Sequence, residues 1–154
     1  MCDIINVWLG SDHAGYDLKR EVISHLESSG LFRVFDVGPF DEKRVDYPMY
    51  GWSVAESVAK SLNCGEKSFG ILICGTGIGM SLVANQHKKT RAALAHNIFT
   101  AEMSRRHNDA NILCLGSRVI GRDIALRMVD MFLSTDFDGG RHSARLSLME
   151  SYLS

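Results

Sequence analysis

Five short apolar runs alternate with longer amphipathic stretches along this chain, and that alternation dictates the layers it can build. The runs are Ile4–Leu9, Phe32–Val37, Phe69–Cys74, Arg91–Ala95 and Asn111–Leu115, each followed by a polar or glycine-bearing turn. Helical spacing of apolar residues appears at Tyr16–Glu27, Tyr50–Leu62, Met80–His87, Ile98–His107, Asp123–Leu133 and Arg141–Tyr152. Strands joined by helices of this length predict an α/β fold: a Rossmann-like, doubly wound sheet of about five parallel strands with helices on both faces. At 154 residues and 45% hydrophobic content, the chain suits one core, so residues 1–154 are expected to form a single domain. Pro39 marks the turn after the second strand, and Pro48 stands near the first turn of the second helix, where a missing N–H costs least.

Composition removes several classes of function. A net charge of -1, with no basic run longer than Lys88-Lys89 or Arg105-Arg106, offers no field for a nucleic-acid backbone. The four cysteines, Cys2, Cys64, Cys74 and Cys114, lack metal-ligand spacing, and the chain is not a small disulfide scaffold, so reduced thiols are expected. No charged segment followed by a long apolar one opens the chain, and no apolar run is long enough to cross a bilayer. A cytoplasmic protein with no membrane or nucleic-acid partner is the expectation.

The stretch that carries chemistry runs from Gly70 to Gly79, where Ile71-Leu72-Ile73 ends in Cys74 and opens into Gly75-Thr76-Gly77-Ile78-Gly79. It reads as strand, tight turn and helix. Glycines at 75, 77 and 79 let a ligand approach the backbone, and the N–H groups opening the helix are unpaired donors suited to a phosphate or oxyanion. Met80 stands where a dinucleotide motif would have its third glycine, and no Gly-Lys-Ser/Thr follows, so neither nucleotide fingerprint is met. Cys74 by itself is more often a buried structural thiol, and reactivity depends on a helix N-terminus, which this loop supplies, or a cation nearby.

Parallel sheets bind ligands at the carboxyl ends of their strands. That rim should collect Gly10-Ser11-Asp12-His13-Ala14-Gly15, the Cys74 loop and Gly116-Ser117-Arg118. Asp12 suits an N-cap near Gly15, a role compatible with ligand contact. His107, in Ser104-Arg105-Arg106-His107-Asn108-Asp109, suits a helix C-terminus. Arg141 and Arg145, four apart, would share one helix face and fork a phosphate; in isolation such a pair is more often a solvated face, and the Gly139-Gly140 entry, like the start of an anion-accepting helix, favours the functional reading. A thiol beside an oxyanion-friendly loop, a histidine, a carboxylate and several arginines suffice for proton transfer on a phosphorylated small molecule, with no cofactor and no metal.

These motifs, with Arg44-Val45-Asp46-Tyr47-Pro48 added, resemble ribose-5-phosphate isomerase type B, a family that includes galactose-6-phosphate isomerase subunits. The resemblance covers nearly the whole chain in order. It implies a pentose phosphate pathway enzyme interconverting ribose 5-phosphate and ribulose 5-phosphate. By the family's pattern Cys74 carries the proton between C1 and C2, Thr76 helps activate it, and Gly75, Gly77, Ile78 and Gly79 hold the enediolate oxygens. His107 assists ring opening, Asp12 and Asn108 contact sugar oxygens, and His13, Arg118, Arg141 and Arg145 surround the phosphate. Some members carry a glutamate base after the glycine loop; Met80 occupies that position here, leaving Cys74 as the base in the loop. The family also implies a homodimer with sites built from both chains, with further pairing of dimers left open. For Trp52, Phe99 and Met103, burial in the monomer core is the expectation. A six-carbon substrate such as allose or galactose 6-phosphate, a non-catalytic sugar-phosphate module and a thiol redox protein remain as alternatives, the last weakened by the lack of a Cys-x-x-Cys pair.

Overall fold

A computed structural model describes residues 4–153; Cys2 lies outside them. The element order is β1 (Ile5–Ser11), α1 (Tyr16–Ser29), β2 (Phe32–Gly38), α2 (Tyr47–Asn63), β3 (Ser68–Cys74), α3 (Ile78–Ala84), β4 (Ala92–Leu94), α4 (Ile98–Asn108), β5 (Ile112–Gly116), α5 (Arg122–Ser134) and α6 (Arg141–Ser151). All neighbouring strands are parallel, in the order β2-β1-β3-β5-β4. The chain steps outward from β1 to β2 and then returns past β1 to β3, so a crevice opens beyond the carboxyl ends of β1 and β3.

All seven residues of β3 are buried, as a strand covered on both faces requires. Its side chains alternate between two cores. Phe69, Ile71 and Ile73 join Leu113 and Leu115 of β5 beneath α1, α4 and α5, whereas Leu72, Cys74, Ile112 and Cys114 face α2 and α3. Cys74 therefore ends the central strand on the α2/α3 face.

The predicted elements all form, with shifted ends. Helix α2 starts at Tyr47 rather than Tyr50, because Asp46 is extended and Pro48 fits the first turn. Helix α3 stops at Ala84, short of His87: the Asn85 side chain pairs with both backbone groups of Ala92, and the Thr90 hydroxyl donates to the Ala84 carbonyl. Strand β4 shrinks to three residues at the sheet edge. Trp52 and Phe99 are exposed, against the expectation of core burial, and Met103 is half-buried. Helix α2 turns Val54, Ala55, Val58 and Ala59 inward, which leaves Trp52 on its flank, and α4 buries only Ala101, Ser104 and Arg105. Helix α6 buries His142 alone and leaves Leu148 and Met149 outside. Among the described residues no helix is long and apolar enough to cross a membrane.

The Cys114 thiol is held above its ordinary value near 9, first by burial and then by the neighbouring Cys74. An acid with a raised folded-state pKa is ionised only in the unfolded chain once pH passes the ordinary value. Stability tied to this thiol is thus intact below about pH 9 and falls above it, by at most about 1.4 kcal/mol per pH unit. Urea midpoints at pH 8 and pH 10 should drop less for Cys114→Ala than for the wild type; equal drops would refute the linkage.

Candidate active site

The crevice is laced together by backbone. Asp12 N–H donates to the Ile73 carbonyl (3.2 Å), Ser117 N–H to the Cys74 carbonyl (2.9 Å) and Arg118 N–H to the Gly75 carbonyl (3.0 Å). The Ser117 hydroxyl adds a bond to the Ala14 carbonyl (2.7 Å). The three segments predicted to share a rim do share it.

Within the rim each side chain has a definite partner. Asp12 is buried, and its Oδ1 accepts the Gly15 N–H (3.0 Å), closing the turn before α1 rather than capping the helix itself. The turn can lie this close to β3 only without a side chain: a Cβ on Gly15 would stand 2.4 Å from the Ile73 carbonyl oxygen. His13 Nδ1 lies 3.3 Å from the Val45 N–H group, which donates to it, and 3.3 Å from the Val45 carbonyl.

Cys74 is 5% exposed, and its Sγ accepts the Gly77 N–H at 3.1 Å. The sulfur thus faces a main-chain donor rather than an apolar side chain. Gly77 makes it possible by adopting φ of 79° at the entrance to α3. Thr76 Oγ1 accepts the Ile78 N–H (3.3 Å), and the Arg118 guanidinium lies over Gly75, with Nη1 3.4 Å from where a Cβ would be. The Tyr47 ring rests against Gly79, closer than any side chain there would permit.

Asp12, His13, Cys74, the 75–79 loop and Arg118 thus form one group. His107, Asn108, Arg141 and Arg145 form another. Helix α4 runs back toward the amino end of the sheet before β5 begins, so His107 and Asn108, in its last turn, lie at the opposite edge. They are also across the sheet from Cys74, since α4 packs on the other core.

Around His107 this second group gathers two residues to which the sequence reading gave no role, Asp138 and His142. The His107 and His142 rings stack with centroids 4.3 Å apart and 13° between planes. Asp138 lies beside them: ligand-type atoms of His107, Asp138 and His142 all fall within 4.8 Å of one another. Parallel stacked rings send their lone pairs side by side rather than toward one point, and arginines crowd the cluster, so it suits an anion better than a metal. Desolvation lowers the His142 pKa most, followed by His107, Arg141 and Arg145, while Asp138 raises it. Asp138 is in turn held by Arg106 Nη1 (3.3 Å) and by its own N–H, which donates to the Arg106 carbonyl (3.0 Å). The available signal for His142 was its place between two arginines at helical spacing.

The model of the family described as Ribose/Galactose Isomerase matches residues 7–149. Ribose-5-phosphate isomerase B of Escherichia coli K12 is 44% identical over 137 residues, spanning 89% of each chain. Ribose-5-phosphate isomerase B of Clostridium thermocellum matches the fold with a TM-score of 0.89 at 47% identity, over 96% of this chain and 97% of that one. Its counterpart from Mycoplasma genitalium, solved with bound ribulose-5-phosphate, gives a TM-score of 0.91 at 39% identity, over 98% and 97%. The chain belongs to the ribose/galactose isomerase family.

The close approach at Gly15 sets a test of the rim. Gly15→Ala must push the β1–α1 turn off β3, and it should cost roughly 1–3 kcal/mol in chemical denaturation, as overpacking of a tight site does. Wild-type stability in that variant would show that the turn is not pinned.

Proposed function

We propose that this chain is an aldose–ketose isomerase that interconverts ribose 5-phosphate and ribulose 5-phosphate, in a site completed by a second copy of itself. The observation that carries this reading is Cys74, a thiol at the end of the central strand with an N–H donated to its sulfur and glycine-loop amides beside it. In the proposed reaction the Cys74 thiolate removes the proton from C2 of the open aldehyde and returns it to C1, while the hydroxyl proton of the C2 oxygen passes to the C1 oxygen. The enediolate formed between these steps is held by N–H groups of residues 75–79. Thr76 supports the thiolate, and Asp12 contacts the sugar oxygens.

Ring opening is assigned to His107, with Asn108 on the sugar. His13, Arg118, Arg141 and Arg145 take the phosphate. Because one chain holds these residues at opposite edges of its sheet, the reading requires a homodimer in which each site combines the Cys74 rim of one copy with the His107 edge of the other. Two features support that assembly. Trp52, Ile78, Leu82 and Phe99 stand exposed on α2, α3 and α4, and α6 buries too little in its own chain to be held there by packing alone.

A coupled assay on ribose 5-phosphate and allose 6-phosphate tests the proposal, with Cys74→Ser as the stringent variant because a hydroxyl is a far weaker base. The wild type should prefer the pentose, and Cys74→Ser should lose turnover by roughly 10²–10⁴-fold, the usual contribution of a positioned base. Undiminished turnover in Cys74→Ser would remove the thiol from the mechanism, and preference for the hexose would reassign the substrate.

A further inference from the structure

Lys19 is fully buried among large apolar side chains, and nothing proposed above uses it. Burying an ammonium costs several kcal/mol unless every donor is matched, and an ion pair in such a place is a poor source of stability compared with apolar packing. Its surroundings are correspondingly specific. Nζ donates to Asp36 Oδ1 and to the Pro39 carbonyl, both at 2.6 Å, and the Tyr16 and Phe40 rings each lie with centroids 5.6 Å from it. Asp36 Oδ1 also accepts the Gly38 N–H (2.9 Å), and the Tyr16 hydroxyl donates to the Phe40 carbonyl (3.3 Å).

The first turn of α1 thereby grips the chain where β2 ends, at residues 36–40. From there residues 41–46 run back across the rim to Val45, whose N–H donates to His13 Nδ1. His13 itself precedes α1 by three residues, and Lys19 N–H donates to the Gly15 carbonyl (2.9 Å). The circuit is closed: α1 holds Pro39, the strap carries Val45, and Val45 clasps the histidine just ahead of α1. Val45 faces Nδ1 with both its N–H and its carbonyl at 3.3 Å, so either tautomer is clasped by the same residue, the ring is held in one orientation, and Nε2 is left for a ligand.

We propose that Lys19 is a positioning residue for His13: it anchors the 39–46 strap so that Val45 fixes the orientation of the imidazole. This rests on the proposed placement of His13 against the substrate phosphate. The role predicts an effect on substrate binding that disappears when His13 is gone.

The test is a double-mutant cycle on ribose 5-phosphate with Lys19→Met, His13→Ala and the pair, each confirmed folded by circular dichroism at the assay temperature. Lys19→Met should raise KM about tenfold with kcat little changed, the scale of one charge-assisted hydrogen bond, and should add less than about twofold to His13→Ala. If Lys19→Met fails to fold, Tyr16→Phe removes the second tie on the same strap without touching the core. It should show a smaller KM rise with the same dependence on His13. Independently of activity, ring ¹⁵N spectra near pH 8 should show His13 held by Val45 with one hydrogen-bonded Nδ1 signature in the wild type, shifting toward the averaged signature of a free ring in Lys19→Met or Tyr16→Phe. Additive effects with unchanged His13 spectra would overturn the positioning role. A wild type inactive on the sugar phosphate would instead overturn the function proposed above, and the spectra would still decide the role of Lys19.

Discussion

Complete burial of β3 between β1 and β5 is the constraint on which the rest of this molecule depends. Its amides and carbonyls are committed to neighbours on both sides, and the last carbonyls, Ile73 and Cys74, accept from Asp12 and Ser117. The ends of three strands are locked to one another before any side chain is considered. Gly15 and Gly77 are the concessions that this closeness demands, one to a carbonyl at van der Waals limits and one to a left-handed turn. Once these are met, a thiol at the last position of the strand faces the amides of the loop that follows, and Arg118, in the turn after β5, covers that loop.

The same topology explains why one chain holds the two groups of candidate residues apart. In a parallel sheet each helix returns the chain to the amino edge, so residues in strand-to-helix loops and residues at helix C-termini are separated by the height of the sheet. Cys74 belongs to the first kind and His107 to the second. The His107 edge nevertheless has the features of a binding surface: stacked imidazoles, Asp138 buttressed from Arg106, and two arginines on a helix with almost no packing of its own.

Much of this was legible in the sequence, and what was missed has physical causes. The strands could be read because buried parallel strands are short apolar runs, and the rim followed from their order. Helix ends were blurred where a side chain rather than a glycine or proline stops the helix, as Asn85 and Thr90 do for α3. Trp52 and Phe99 were misplaced because an apolar residue on a helix signals burial without saying whether its own chain supplies the cover. Lys19 left no trace, since a lysine in an amphipathic pattern reads as solvent-facing. Asp36 near the end of β2 and the Pro39 carbonyl just beyond it, neither adjacent in sequence, make its burial tolerable. The division of the candidate residues between two edges follows from topology, which motif spacing does not encode.

The central claim is that Cys74 of one copy works with His107 of another. The most direct measurement mixes two inactive variants, Cys74→Ala and His107→Ala, by co-expression or joint refolding, and assays the mixture on ribose 5-phosphate. A mixed dimer joins both defects in one site and leaves the other intact. Random pairing should therefore restore about a quarter of wild-type activity, as two-fold symmetry dictates. No recovery, in a mixture shown by native mass spectrometry to contain mixed dimers, would contradict a site shared between chains.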